Sequence, residues 1–244
     1  MSLLMQTYKA TLKQLKKAIF FPFCTVCYRY LETHNFLCPI CWGKIKFIRT
    51  PSCYSCGKKL STPTFGNTTI CASCIESPPP YDMGRSAVVY SGIVSKLILR
   101  LKYSDGMEYA KLFSQWLTTA YPSIFQDADC IIPVPIHWKR SLSRKYNQTL
   151  VLALALRKAT GLPIYPNVLC RNTFLRPQKG LTASQRKENV KNAFAIGDAS
   201  HIVEKKVILL DDVLTTGATL EICSKLLKKA KAQKVYALTV ARSN

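Results

Sequence analysis

With 244 residues, 48% of them hydrophobic, the chain can build one substantial α/β core plus a small accessory module, so two domains are expected. Thirty-five Lys and Arg against thirteen Asp and Glu leave a formal charge of +22, which predicts attraction to polyanions such as nucleic acid, anionic lipid or a phosphorylated small molecule. Residues 1 to 80 hold ten basic and two acidic groups, so the excess is not confined to a detachable tail.

Residues 1–23 read as a basic N-terminal helix. Lysines stand at 9, 13, 16 and 17, and Leu4, Tyr8, Leu12, Leu15 and Ile19 recur at helical spacing. Such a helix packs on its own protein or touches the inner membrane surface. No small-residue cleavage site and no apolar run of spanning length are present, so neither a signal peptide nor a membrane span is expected.

Residues 24–76 hold eight of the eleven cysteines, all in C-x-x-C pairs. Cys24, Cys27, Cys38 and Cys41 form one set and Cys53, Cys56, Cys71 and Cys74 the other, each with the spacing of a four-cysteine zinc ribbon. Two turns, each pointing two thiolates at one tetrahedral ion, close a structural site with no open position for catalysis. The metal replaces a core that some fifty residues can hardly build from side chains alone. Two structural Zn²⁺ ions per chain are expected in a reducing compartment; disulfides, an iron–sulfur cluster or a single ion are the competing readings. Spacing leaves open whether the pairs combine sequentially or interleave, and His34 inside the first loop is an alternative ligand. Arg29, Lys44, Lys46, Arg49, Lys58 and Lys59 alternate with Tyr28, Tyr30, Trp42, Phe47 and Tyr54, offering charge and stacking to a nucleic acid.

Pro78-Pro79-Pro80 makes 77–82 an extended linker, and 83–244 form the larger domain. There Ala87–Tyr90 reads as strand, Ile93–Leu101 and Glu108–Ala120 as helices, Cys130–Val134 as strand and Leu150–Lys158 as helix. Val207–Leu210 is an apolar strand, Thr219–Lys231 a helix and Lys234–Val240 a strand, which together make a βαβ unit. This alternation predicts a parallel sheet with helices on both faces.

Between the strand and helix of that unit lie Asp211, Asp212, Val213, Leu214, Thr215, Thr216, Gly217, Ala218 and Thr219. A small, hydroxyl-rich loop at a helix start offers N–H groups and hydroxyls to a phosphate, and adjacent carboxylates accept hydrogen bonds from a diol. Together they fit a ribose 5-phosphate. The bland alternative is a helix start that merely uses Asp and Thr as caps.

The paired cysteines, the Pro-rich junction, Leu101-Lys102-Tyr103, Ile132-Pro133-Val134-Pro135-Ile136-His137, Tyr146-Asn147-Gln148, Pro177-Gln178-Lys179-Gly180-Leu181 and the terminal loop together resemble the bacterial ComF competence family. The resemblance implies a zinc-ribbon module before a type I phosphoribosyltransferase-like domain. It also implies a cytoplasmic factor that handles incoming single-stranded DNA in natural transformation; the basic N-terminal helix alone offers contact with the inner membrane surface. By the same resemblance Asp211 and Asp212 hold ribose hydroxyls of phosphoribosyl diphosphate (PRPP), bound with Mg²⁺, and Thr215 to Thr219 hold its 5-phosphate. Val134, Pro135, Ile136 and His137 then face the pyrophosphate. The stretch around Arg176, Gln178 and Lys179 looks like the mobile loop of amidophosphoribosyltransferases, which makes these residues leaving-group contacts and Lys179 a catalytic candidate beside the two acids. Partners implied are single-stranded DNA, PRPP and other DNA-uptake or recombination proteins. Neither a base-recognition pocket nor a nucleophile is identifiable, so turnover is unassigned, and a metabolic phosphoribosyltransferase acting on a small acceptor is the rival reading.

Overall fold

The computed structural model describes residues 23–32, 36–60, 68–103, 106–135, 146–171 and 193–243. The expected N-terminal helix, His34, Ile136, His137, Arg176, Gln178 and Lys179 lie outside them. Compactness divides the chain into Met1–Ile45 and Lys46–Asn244, inside the paired-cysteine region rather than after it.

In the first unit the chain turns tightly around Cys24. The Cys24 N–H donates to Arg29 O and the Tyr28 N–H to Cys24 O, both at 2.8 Å. Helix α1 (Pro39–Gly43) starts on Cys38, whose sulfur accepts the Cys41 N–H at 3.4 Å, so the helix cap is itself a thiolate candidate.

The second unit repeats that turn at Cys53, where Gly57 N–H donates to Cys53 O at 2.9 Å and Cys53 N–H to Lys58 O at 2.7 Å. Helix α2 (Ala72–Glu76) then starts on Cys71. Four parallel strands form the main sheet: β1 (Met83–Val89), β2 (Cys130–Pro133), β5 (Lys206–Leu214) and β6 (Lys234–Arg242), in the order β1-β6-β5-β2. A separate antiparallel hairpin pairs β3 (Leu169–Arg171) with β4 (Phe194–Ile196). Between strands run α3 (Gly92–Tyr103), α4 (Gly106–Ala120), α5 (Pro122–Asp127), α6 (Gln148–Thr160) and α7 (Ala218–Lys229).

The central strands are apolar at successive positions because both faces of the sheet are covered. On one face Ile132, Val207, Leu209, Val235 and Ala237 join Leu220, Cys223 and Leu227 of α7 in a single core. Ile131, Ile208, Leu210 and Leu238 are also fully buried, on the side where α4 meets β1 and β6 and α6 meets β2 and β5. Truncating such a side chain, for instance Leu209→Ala, costs about 2–5 kcal/mol. The fold is therefore of the expected α/β class, a parallel sheet with helices on both faces. Among the described residues no helix is long and apolar enough to cross a membrane.

Close backbone contacts join the Cys53 knuckle to the sheet. Gly84 N–H donates to Ser55 O at 2.6 Å, and Arg85 Nη1 donates to Tyr54 O at 2.8 Å. A Cβ on Gly57 would come within 2.5 Å of the Gly84 carbonyl oxygen, so only glycine allows the approach. The 46–48 stretch lies antiparallel along β1, with Ile48 N–H on Ala87 O and Val89 N–H on Lys46 O, both at 2.9 Å. Phe47 stacks edge-on against Trp116 of α4 at 5.4 Å. Phe47 is half-buried there.

Candidate functional site

Two chemical centres emerge. The first is a pair of sulfur clusters: the Sγ atoms of Cys24, Cys27, Cys38 and Cys41 lie within 4.8 Å of one another, and so do those of Cys53, Cys56, Cys71 and Cys74. The pairs therefore combine sequentially. A tetrahedral zinc with Zn–S of about 2.3 Å needs sulfur edges of about 3.8 Å, and Cys27–Cys38 and Cys56–Cys71 stand at 3.6 and 3.8 Å. Backbone N–H groups of Cys41, Cys56 and Cys71 point at sulfur at 3.3–3.5 Å, as anionic thiolates require.

Burial opposes ionisation of Cys24 and Cys71. The N–H groups of Cys27, Cys38 and Val26 around Cys24, and the Ser73 hydroxyl with the Cys74 N–H around Cys71, outweigh it and bring both thiols down to about 6. Burial and then neighbouring sulfurs push Cys41 up to about 12 and Cys74 upward too. Four charged sulfurs can share each cluster only around a cation, and the all-thiolate donor set with these edges fits structural zinc.

The second centre is built on β5. The strand does not stop at Leu210, as its apolar run suggests, but continues to Leu214, with Asp211 opposite Thr239 and Val213 opposite Ala241 of β6. The acids are thus held by a sheet ladder and not by a loop. Lys102 Nζ lies 2.8 Å from Asp212 Oδ2, and Gln148 Nε2 donates to the same oxygen at 3.3 Å. Asp211 Oδ1 accepts the Asp212 N–H at 2.8 Å. Burial, and after it the Asp212 charge, pushes the Asp211 carboxyl up to about 8.

Beyond Leu214 the chain turns through exposed Thr215 and Thr216 into Gly217, at φ 86°. A Cβ there would meet nothing closer than 3.5 Å, so this glycine serves conformation and not space. No side chain caps α7. The N–H groups of Ala218, Thr219 and Leu220 therefore point with the helix dipole toward whatever occupies the turn.

Val134 and Pro135 border the same strand end. The Val134 N–H donates to Leu210 O at 2.9 Å, and its carbonyl accepts the Thr149 hydroxyl at 2.7 Å. Asn147 caps α6 through the Thr149 N–H at 3.1 Å, and the Tyr146 hydroxyl reaches Leu101 O at 2.8 Å. Asp211 to Thr219, Val134 and Pro135 thus converge, while Arg176, Gln178 and Lys179 belong to the β3–β4 connection outside the described residues.

Lys102 and Gln148 are the members of this site to which sequence reasoning assigned no chemistry. Both stand in stretches that mark the family resemblance, and only the fold shows them meeting on one carboxylate. Gln148 is 5% exposed and its Oε1 is buried without a hydrogen-bond partner. An orphaned acceptor beside an acid is what a hydroxyl-bearing ligand would satisfy. Lys102→Met should leave Asp212 buried without its cation and cost about 3 kcal/mol in urea unfolding. Lys102→Arg should recover most of that loss; equal stability of Met and Arg variants would show that the ion pair contributes nothing.

Residues 15–75 match the double zinc ribbon domain family. Over 224 residues the chain is 29% identical to competence protein F of Haemophilus influenzae, covering 86% of this chain and 98% of that protein. Over 225 residues it is 27% identical to the DNA utilization protein YhgH of Escherichia coli K12, covering 90% of each. Among solved structures, the purine phosphoribosyltransferase of Pyrococcus horikoshii is 19% identical over 55% of this chain and 82% of that one, with a TM-score of 0.36. Over most of its length the chain is thus similar to competence protein F and YhgH, and its N-terminal part matches the double zinc ribbon family.

Proposed function

We propose that this chain is a cytoplasmic competence factor that handles incoming single-stranded DNA and holds PRPP with Mg²⁺ at the end of β5. The observation that carries the site reading is Asp211 and Asp212 at a sheet's carboxyl end, followed by an uncapped helix start entered through Gly217. Acids for the ribose hydroxyls thereby stand one turn from N–H donors for the 5-phosphate. Mg²⁺, bound with the ligand, supplies charge neutralisation of the pyrophosphate. Asp212 is oriented by Lys102 and Gln148, and the α7 N–H groups hold the phosphate.

The DNA reading is supported by the names of its relatives, which speak of competence and DNA utilization, and by the +22 charge. Tyr28, Tyr30 and Trp42 are each at least 45% exposed, and Arg29 and Lys44 are exposed beside them in sequence. Such a surface binds by phosphate contacts first and by ring stacking second.

Two titrations test the pair of activities. Calorimetry with PRPP and Mg²⁺ should show one site. Anisotropy of a labelled mixed-sequence oligonucleotide should show affinity falling with salt, log K against log salt having a slope of about −0.7 per neutralised phosphate. Replacing Lys44, Lys46 and Arg49 by Ala should flatten that slope by about 2 without changing PRPP affinity. Undetectable or salt-insensitive oligonucleotide binding would refute DNA handling and leave a metabolic transferase.

A further inference from the structure

The second sulfur cluster and the phosphate loop meet at one residue. Arg242 ends β6, and its backbone is paired with Leu214, the last residue of β5 before Thr215. The following residue tightens the same point, Ser243 N–H donating to Leu214 O at 2.9 Å. The Arg242 side chain runs the other way, Nη1 donating to Cys56 O at 2.7 Å and lying 3.9 Å from Cys56 Sγ.

Three features make this link stiff. A zinc ion with four thiolates is a net anion, so the guanidinium beside Cys56 is held by charge as well as by its hydrogen bond. The knuckle has no slack, since Gly57 already lies against the Gly84 carbonyl. Arg242 Nε is buried with no partner, so a displaced Cys56 would leave still more of the guanidinium unsatisfied. A buried donor in that state moves, and the end of β6 moves with it.

We propose that Arg242 is a positioning residue joining the second zinc centre to the phosphate loop, so that zinc at Cys53, Cys56, Cys71 and Cys74 and a phosphorylated ribose at residues 215–219 each tighten the other. The proposal rests on the reading of residues 215–219 as a phosphate loop. Coupling between two sites is reciprocal by thermodynamic necessity, which makes it measurable from the metal side without any turnover.

The test is zinc release from the full-length, zinc-loaded chain into a chromogenic chelator, with and without saturating PRPP and Mg²⁺, alongside calorimetry on the same samples. PRPP should slow release of one of the two zinc equivalents by about five-fold or more. In a chain carrying Cys24→Ser and Cys27→Ser, the protected equivalent should remain. Arg242→Ala should abolish the protection and weaken PRPP binding, and Arg242→Lys should restore part of both. Arg85→Ala is the control. Arg85 also grips the knuckle, but it pairs with Leu238 and not with the strand end, so it should speed zinc release without changing PRPP affinity. If the wild type binds PRPP and both zinc equivalents leave at unchanged rates, the coupling is wrong while the site reading stands. A wild type that binds no PRPP overturns both. Should Arg242→Ala fail to fold, the wild-type comparison and Arg242→Lys still decide the matter.

Discussion

Asp211→Ala combined with Asp212→Ala should abolish PRPP binding by calorimetry while the folded baseline in circular dichroism persists. These two carboxylates are the acceptors that the β5 end offers to a diol. The phosphate turn that remains contributes little on its own at physiological salt. Unchanged affinity in the double variant would refute the site.

The single substitution Asp211→Asn carries a pH signature. The folded carboxyl is pushed up to about 8, whereas an unfolded Asp titrates near 4. Between those values the folded chain holds the extra proton, so stability falls as pH rises through the window, by up to about 1.4 kcal/mol per unit. Asp211→Asn should remove that slope and be more stable than the wild type at pH 8, as expected where a site accepts strain for function. A ligand that brings Mg²⁺ favours the ionised acid, so wild-type PRPP binding should strengthen from pH 6 to 8 and then level off. Thermal melts and calorimetry at matched pH values check both signs, and parallel wild-type and Asn stability curves would remove the raised Asp211 from the account.

Zinc extraction should have the largest effect on the fold. Structural zinc sites are worth about 10–16 kcal/mol in zinc-finger peptides near neutral pH, comparable to the whole stability of an ordinary domain, about 5–15 kcal/mol. Metal analysis should find two equivalents in reduced protein, and a strong chelator should unfold the first knuckle pair. Loss from the second cluster should propagate further. Cys53 and Cys56 belong to the same compact unit as the sheet, and Gly84, Arg85 and Arg242 bond directly to its backbone. A melting transition of the sheet unaltered by complete zinc removal would show that the knuckle is merely appended.

The chemistry of both centres could be read from residue types at fixed spacing, because C-x-x-C turns and an acid pair before a Thr-Thr-Gly turn are local geometries. The grouping of ligands could not. Sequential and interleaved pairings have identical spacing, and only the convergence of Cys27 with Cys38 and of Cys56 with Cys71 separates them. The strands of the βαβ unit were legible from continuous apolar runs. The extension of β5 through Asp211 and Asp212 was not, since a charged residue in a ladder is tolerated only where Lys102 and Gln148 arrive from elements far along the chain.

The sequence by itself determined what is local: the α/β alternation, the two sets of thiols, the acid pair and the hydroxyl-rich turn through Gly217. Tertiary structure alone decided the partnerships: which helix supplies the cation for Asp212, and that Phe47 meets Trp116 edge-on. It also decided that the Cys53 knuckle is anchored by Arg85 and Arg242, which lie some thirty and one hundred and eighty-six residues away along the chain. The physical reason is that backbone geometry and metal-ligand spacing are set within a few neighbouring residues, whereas burial and charge pairing depend on contacts that no periodicity encodes.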